Sequence, residues 1–188
     1  GVKARPGEVS LAHHGVLFLD EIPEYQRSAL EALRQPLEDK KVHITRVNGR
    51  STYPANFMLV ATMNPCPCGY YGDASHECTC SSTQILAYQK HLSGPLLDRI
   101  DMVISVSRVP NEKLLQDKAL STEQHKSAQN AIANCKLKQY NRYRSSTKYN
   151  GSLSNSDIKK HIQLDSSAKQ LLNSAAEKLA RSARAYFK

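Results

Sequence analysis

The chain has 188 residues, 40% of them apolar, and a formal net charge of +9. That length suffices for one domain or two small ones with a real core. No apolar run approaches the ~20 residues of a membrane span and no signal peptide is visible, which argues against a membrane partner.

The chain starts Gly1-Val2-Lys3 without an initiator Met, which predicts a piece of a longer protein. Its charge is uneven: residues 1–107 hold 10 Lys and Arg against 11 Asp and Glu, and residues 108–188 hold 16 against 6. A neutral front and a basic back predict two modules, the basic one facing an anion such as nucleic acid or nucleotide phosphate. Cysteines 66, 68, 78 and 80 are clustered and Cys135 stands apart. An odd total in this arrangement fits a reducing, cytoplasmic compartment better than an extracellular disulfide framework.

In chain order, Arg5-Pro6-Gly7-Glu8 reads as a turn and Val9–Ala12 as a short helix. His13 and His14 read as cap or surface residues. Val16-Leu17-Phe18-Leu19 is an unbroken apolar run, the pattern of a parallel strand covered on both faces. Asp20 and Glu21 then fall at its carboxyl end, where open α/β sheets place ligands. Such a pair can hold magnesium and polarise a water for attack on phosphate, as in a Walker B strand. On this stretch alone an acidic helix start around Pro23 and Glu24 competes equally. A helix is expected from Glu24 to about Glu38, with Ala29, Leu30, Leu33 and Leu37 on one stripe and Pro36 kinking or ending it near Gln35. Lys41–Val47, Asn48-Gly49 and Arg50–Tyr53 read as a β-hairpin with a type I′ turn, its flanks carrying Arg46 and Arg50.

Phe57–Thr62 is a second buried-strand run, and Asn64 follows its carboxyl end as Asp20 follows the first. Residues 83–91 read as a helix, and Met102–Val106 as a third strand-like run. Beyond a hinge at Val109-Pro110-Asn111 the strand signals stop. Helices are expected within 111–144, over Ser154 to about Gln163, and from Ser166 to Lys188, with a loop over 145–152. No Gly-x-x-x-x-Gly-Lys-[Ser/Thr] phosphate loop occurs in the chain.

Together these stretches resemble the magnesium-chelatase-like AAA+ ATPases. Gly15–Glu21 is similar to their Walker B motif and Ala61-Thr62-Met63-Asn64-Pro65 to a sensor 1 strand end. Ser93–Asp101 is similar to the arginine-finger segment, and Ser182-Ala183-Arg184-Ala185-Tyr186 to the sensor 2 helix. Arg5–His13, Leu33–Asp39 and Asn64–Gly72 resemble the ComM/YifB group in particular. The resemblance implies the C-terminal part of a P-loop AAA+ core over 1–109, with Walker B and sensor 1 strands and a β-hairpin insert. An all-helical lid would follow over 110–188.

It further implies an upstream Walker A loop and Lon-protease-like domain, a hexameric ring on DNA, and branch migration in natural transformation. By the same resemblance Asp20 would hold magnesium, Glu21 would activate water and Asn64 would position it against the γ-phosphate of ATP. Arg99 would reach a neighbouring subunit's nucleotide, and Arg184 would be sensor 2, with Arg181 one turn earlier as its competitor. These types suit phosphoryl transfer, which rests on positioning and charge neutralisation. Without a Walker A loop these residues alone are not expected to turn over ATP.

Cys66-Pro67-Cys68 and Cys78-Thr79-Cys80 are two Cys-x-Cys pairs whose four thiolates could close a structural zinc site, with His76 as a spare ligand, although the spacing is atypical beside the commoner Cys-x₂-Cys knuckle. Free thiols, or a disulfide formed on oxidation, are the alternatives. Lys136, Lys138, Tyr140, Arg142, Tyr143, Arg144, Lys148 and Tyr149 interleave base and ring, a mixture that tracks and stacks on nucleic acid or lines a solvated helix face. Two functions therefore compete: an ATP-driven motor on DNA, and a chelatase-type ATPase that remodels a protein without touching nucleic acid. A Lon-like protease is remote, since no Ser/Lys dyad is recognisable.

Overall fold

The computed structural model describes residues 5–46, 49–106 and 122–178. The chain divides into two compact units, Gly1–Val103 and Ile104–Lys188. The first is mixed α/β and the described part of the second is helical. No helix among the described residues is long and apolar enough to cross a membrane.

In the first unit, helix α1 (Glu8–Leu11) leads into strand β1 (Val16–Leu19). β1 pairs in parallel with β4 (Met58–Ala61), in the register Val16↔Met58 to Leu19↔Ala61. The entry to this pair is fixed at its amino end. The His14 N–H donates to the Asn56 carbonyl at 2.7 Å, and the Asn56 N–H donates to His13 Nδ1 at 3.0 Å. His13 is thus a backbone clamp, beyond the cap or surface role expected of it.

The apolar run was expected to be covered on both faces. The register instead separates two faces. Leu17 and Leu19 pack on a core of Ile22, Leu30, Leu33, Leu92 and Leu96. Val16, Phe18, Met58 and Val60 point the other way and are exposed, Phe18 to 56% and Met58 to 64%. Each core side chain contributes roughly 1.5–3 kcal/mol by leaving water.

The long helix expected after β1 is broken. A 3₁₀ turn (Ile22–Glu24) precedes α2 (Arg27–Ala32) and α3 (Arg34–Asp39), which meet at Leu33. The interruption expected near Gln35 falls at Leu33, and Pro36 does not end the helix; it sits in the first turn of α3, where its missing N–H removes no intrahelical bond. The helix ends instead at Lys40, in the left-handed region at φ 57°.

The hairpin forms as read, from β2 (Lys41–Arg46) and β3 (Gly49–Pro54). Arg46 pairs with Gly49, and Gly49 has φ 143°, a conformation side chains disfavour. Residues 47 and 48, the expected end of the first strand and half of the expected turn, lie outside the described residues.

α4 (Ser82–Gln89) begins with a reciprocal capping box between Ser81 and Gln84, and Ser93 caps α5 (Gly94–Leu97). The run Met102–Val106, expected as a third strand, has no regular structure and Val106 is 87% exposed. A strand needs a neighbour for its N–H and C=O groups, and among the described residues β1 and β4 pair only with each other.

The second unit contains α6 (Thr122–Tyr143), α7 (Asn155–His161) and α8 (Ser166–Lys178). A 3₁₀ turn (Asn150–Ser152) lies in the expected loop. Ser154 caps α7 through a capping box with Asp157.

Candidate functional site

The parallel register brings the residues after β1 beside those after β4. The ladder runs past the strands: the Thr62 N–H donates to the Leu19 carbonyl at 3.0 Å and the Ile22 N–H to the Thr62 carbonyl at 2.9 Å. Four polar side chains meet there. Thr62 Oγ1 donates to Asp20 Oδ1 at 2.5 Å and accepts from the Glu21 N–H at 2.9 Å. Asn64 Nδ2 donates to Glu21 Oε1 at 3.1 Å.

Glu21 itself is in the left-handed region, at φ 48° and ψ 55°. A non-glycine residue there stores about 1–3 kcal/mol of strain, a cost that recurs where a side chain must be aimed. From this turn the Glu21 carboxylate reaches Asn64. Asp20, Glu21, Thr62 and Asn64 are all exposed, so the cluster faces an open edge.

Thr62 is the member that sequence reasoning missed as a site residue. A threonine closing a run of β-formers reads as strand, and only the register Leu19↔Ala61 sets it opposite Asp20.

Arg99 lies apart from this cluster. Its Nε donates to the Arg34 carbonyl at 3.1 Å, its Nη1 to the Pro95 carbonyl at 2.7 Å, and its Nη2 pairs with the Glu38 carboxylate. The side chain is 14% exposed. It forms part of the wall of an open cleft of about 540 Å³ that Glu38, Val42 and His43 also line. Arg181 and Arg184 lie outside the described residues.

In the second unit, Lys136, Lys148, Tyr140 and Tyr149 line a groove of about 330 Å³. Lys148 Nζ is bound to Asp157 Oδ1 at 2.6 Å. That hydrogen bond, with those from Ser154, holds the Asp157 carboxyl well below the usual range. Arg142 donates to Asn150 Oδ1 at 3.1 Å. Part of the basic surface is therefore tied locally, while Lys136, Lys138 and Arg144 are exposed.

The cysteines come together in the segment between β4 and α4. Their four sulfurs lie within 4.8 Å of one another, with Cys66 fully buried. A backbone N–H from Tyr70 draws the Cys68 thiol down to about 5. At Cys78 the backbone N–H of Cys80 pulls the same way, but burial and the neighbouring Cys68 and Cys66 outweigh it and push the thiol up to about 12. His76, the spare ligand, stacks on Tyr70 with ring centroids 5.0 Å apart and is outside this group.

A parallel strand pair with carboxylates and an amide clustered at its carboxyl edge, in a chain that continues into a helical unit, defines a mixed α/β protein with a polar cluster at one strand edge. The family described as "Magnesium chelatase, subunit ChlI" matches residues 1–114, and its C-terminal counterpart matches residues 122–188. The chain belongs to the magnesium chelatase ChlI family.

Among individual relatives it is 41% identical over 186 residues to "Competence protein ComM" of Haemophilus influenzae, covering 99% of this chain and 35% of that protein. It is 39% identical over 161 residues to "Uncharacterized protein YifB" of Escherichia coli, covering 86% of this chain and 31% of the relative. The YifB of Salmonella typhimurium gives 39% over 164 residues. The resemblance to the ComM/YifB group read from the sequence is met at this level. The chain spans about a third of the length of these curated relatives.

Proposed function

We propose that this chain is the Walker B-to-lid part of an ATP-driven AAA+ motor that acts on DNA in the cytoplasm as a hexameric ring. Residues 1–109 would be the C-terminal part of the P-loop core and 110–188 the helical lid. One observation carries the reading: Asp20, Glu21, Thr62 and Asn64 converge at one carboxyl edge of a parallel pair. The exposed apolar face of that pair supports a core completed by further layers.

The oxygen donors at the edge fit a hard cation. Asp20 would hold magnesium, which supplies charge neutralisation to phosphate oxygens when bound. Thr62 engages one Asp20 oxygen and so sets the carboxylate's direction. Glu21 would take the proton of the attacking water, and Asn64 would fix Glu21 and that water together. Arg99 and Arg184 (or Arg181) would supply guanidinium charge to the γ-phosphate, Arg99 across a subunit boundary.

Support for DNA comes from the basic back half of the sequence, the exposed Arg50 of the hairpin and the likeness to a protein named for competence.

The test is ATP hydrolysis by the full-length protein, with and without DNA. Glu21→Gln is expected to retain ATP binding and lose about 100-fold or more in kcat. Hydrolysis by that variant at the wild-type rate would overturn the assignment. A wild-type rate indifferent to DNA would overturn the DNA reading and favour a protein-remodelling ATPase.

A further inference from the structure

We propose that Cys66, Cys68, Cys78 and Cys80 are the closed ligand set of one structural zinc ion, which clamps the segment joining β4 to α4. Cys66 Sγ lies 3.4 Å from Cys68 Sγ and 3.7 Å from Cys78 Sγ, and Cys68 Sγ lies 3.6 Å from Cys78 Sγ. A tetrahedron with Zn–S bonds of about 2.3 Å has edges of about 3.8 Å. These three pairs come close to that edge, and Cys80 Sγ lies within 4.8 Å of the other sulfurs, so the set can close on a single ion.

The geometry discriminates between occupants. A disulfide needs sulfurs about 2.05 Å apart, and each of these three pairs is much wider. A multi-iron cluster needs its cysteine sulfurs further apart, because each iron sits between its own thiolates and the bridging sulfides. Four thiolates and no oxygen donor select a soft or borderline metal, and a filled tetrahedron leaves no position for substrate. Binding releases the thiol protons to solvent.

The second shell is present as well. The Tyr71 N–H donates to Cys66 Sγ at 3.3 Å, the kind of backbone bond that steadies a metal thiolate. Gly69 and Gly72 take φ of 81° and 84°, turning the chain back so that its two Cys-x-Cys ends meet.

The position gives the clamp its work. Cys66 is two residues past Asn64, and the Pro65 carbonyl between them accepts from Gln89 Nε2 of α4 at 3.1 Å. Cys80 directly precedes the Ser81 cap of the same helix. One ion would therefore fix both ends of the segment, and with it the backbone that carries Asn64.

The experiment is metal analysis of the reduced full-length protein, followed by replacement with cobalt(II). The expected result is about one zinc per chain and, with cobalt, the intense visible bands of a tetrahedral tetrathiolate. Cys68→Ser and Cys78→Ser should lower zinc to about a tenth of that or less, while Cys135→Ser, outside the group, leaves it unchanged. Wild-type protein with less than about a tenth of a zinc per chain and no cobalt bands would overturn the proposal. So would stoichiometric iron in place of zinc, or full zinc retention in both cluster variants.

Discussion

Thr62→Val tests whether the strand-end cluster is held as the geometry indicates. The substitution keeps the β-branched shape and removes only the hydroxyl. Two bonds go with it, the one donated to Asp20 Oδ1 and the one accepted from the Glu21 N–H. A hydrogen bond to a charged group contributes about 1.5–3 kcal/mol and one between neutral groups about 1. Both sites are exposed, so water replaces much of this, and the loss of stability is expected near ~1 kcal/mol. The kinetic effect should be larger. Asp20 and Glu21 lose their common tether, and a displacement of about 1 Å at a reacting group costs up to about 100-fold. In full-length protein, kcat for ATP is expected to fall about 10- to 100-fold, with the larger share in kcat and not in KM. Thr62→Ser restores the hydroxyl and should recover most of the rate. Thr62→Val turning over within about twofold of wild type, or Ser and Val variants behaving alike, would refute the tether.

Leu96→Ala removes a fully buried side chain from the core beneath β1; denaturant unfolding should show a loss of about 2–5 kcal/mol. Asp157 has its folded-state value depressed by Lys148 and Ser154. The stability it gives the second unit is present above the ordinary aspartate value of about 3.9 and is lost as pH falls below it toward the depressed one. An acid titration followed by circular dichroism should therefore show Asp157→Asn less acid-sensitive than wild type, and superimposable profiles would count against the pairing. Replacing Lys136 and Lys138 together by Gln should weaken DNA binding by the full-length protein and flatten its salt dependence, by about 0.9 in log–log slope for each duplex phosphate no longer neutralised. An unchanged slope would assign these lysines to a solvated face.

The pair of strand ends was legible because apolar runs followed by polar residues carry their own address in an α/β sheet. Asp20 and Asn64 could be placed on one edge from the order of residues alone. Thr62 could not, since its role comes from register, and register is a property of two strands. Pro36 misled for a local reason: proline breaks a helix interior but not a first turn, and only the break at Leu33 makes position 36 a first turn. Met102–Val106 misled for a global one, because β-propensity describes half a ladder and the partner is decided elsewhere. The cysteines lie between these cases. Their clustering in sequence singled them out, though a Cys-x-Cys spacing is not the common knuckle, and it is the folded loop with its positive-φ glycines that brings the four sulfurs within 4.8 Å of one another.

Arg99 carries the same lesson further. Its residue type and flanking pattern point to phosphate, yet its guanidinium already holds two carbonyls and the Glu38 carboxylate. The two carbonyl bonds and the carboxylate pair differ in kind. The carbonyls of Arg34 and Pro95 belong to the backbone of this unit and fix the side chain's direction. Glu38 is an anion whose own side chain is 44% exposed, so solvent can receive it when the pair opens. A phosphate presented to Arg99 would therefore replace one anion with another without disturbing the backbone bonds that aim the fork. Under the proposed function, the contacts that make Arg99 look structural are those that would keep a phosphate-seeking arginine pre-aimed, with Glu38 as the group it must exchange.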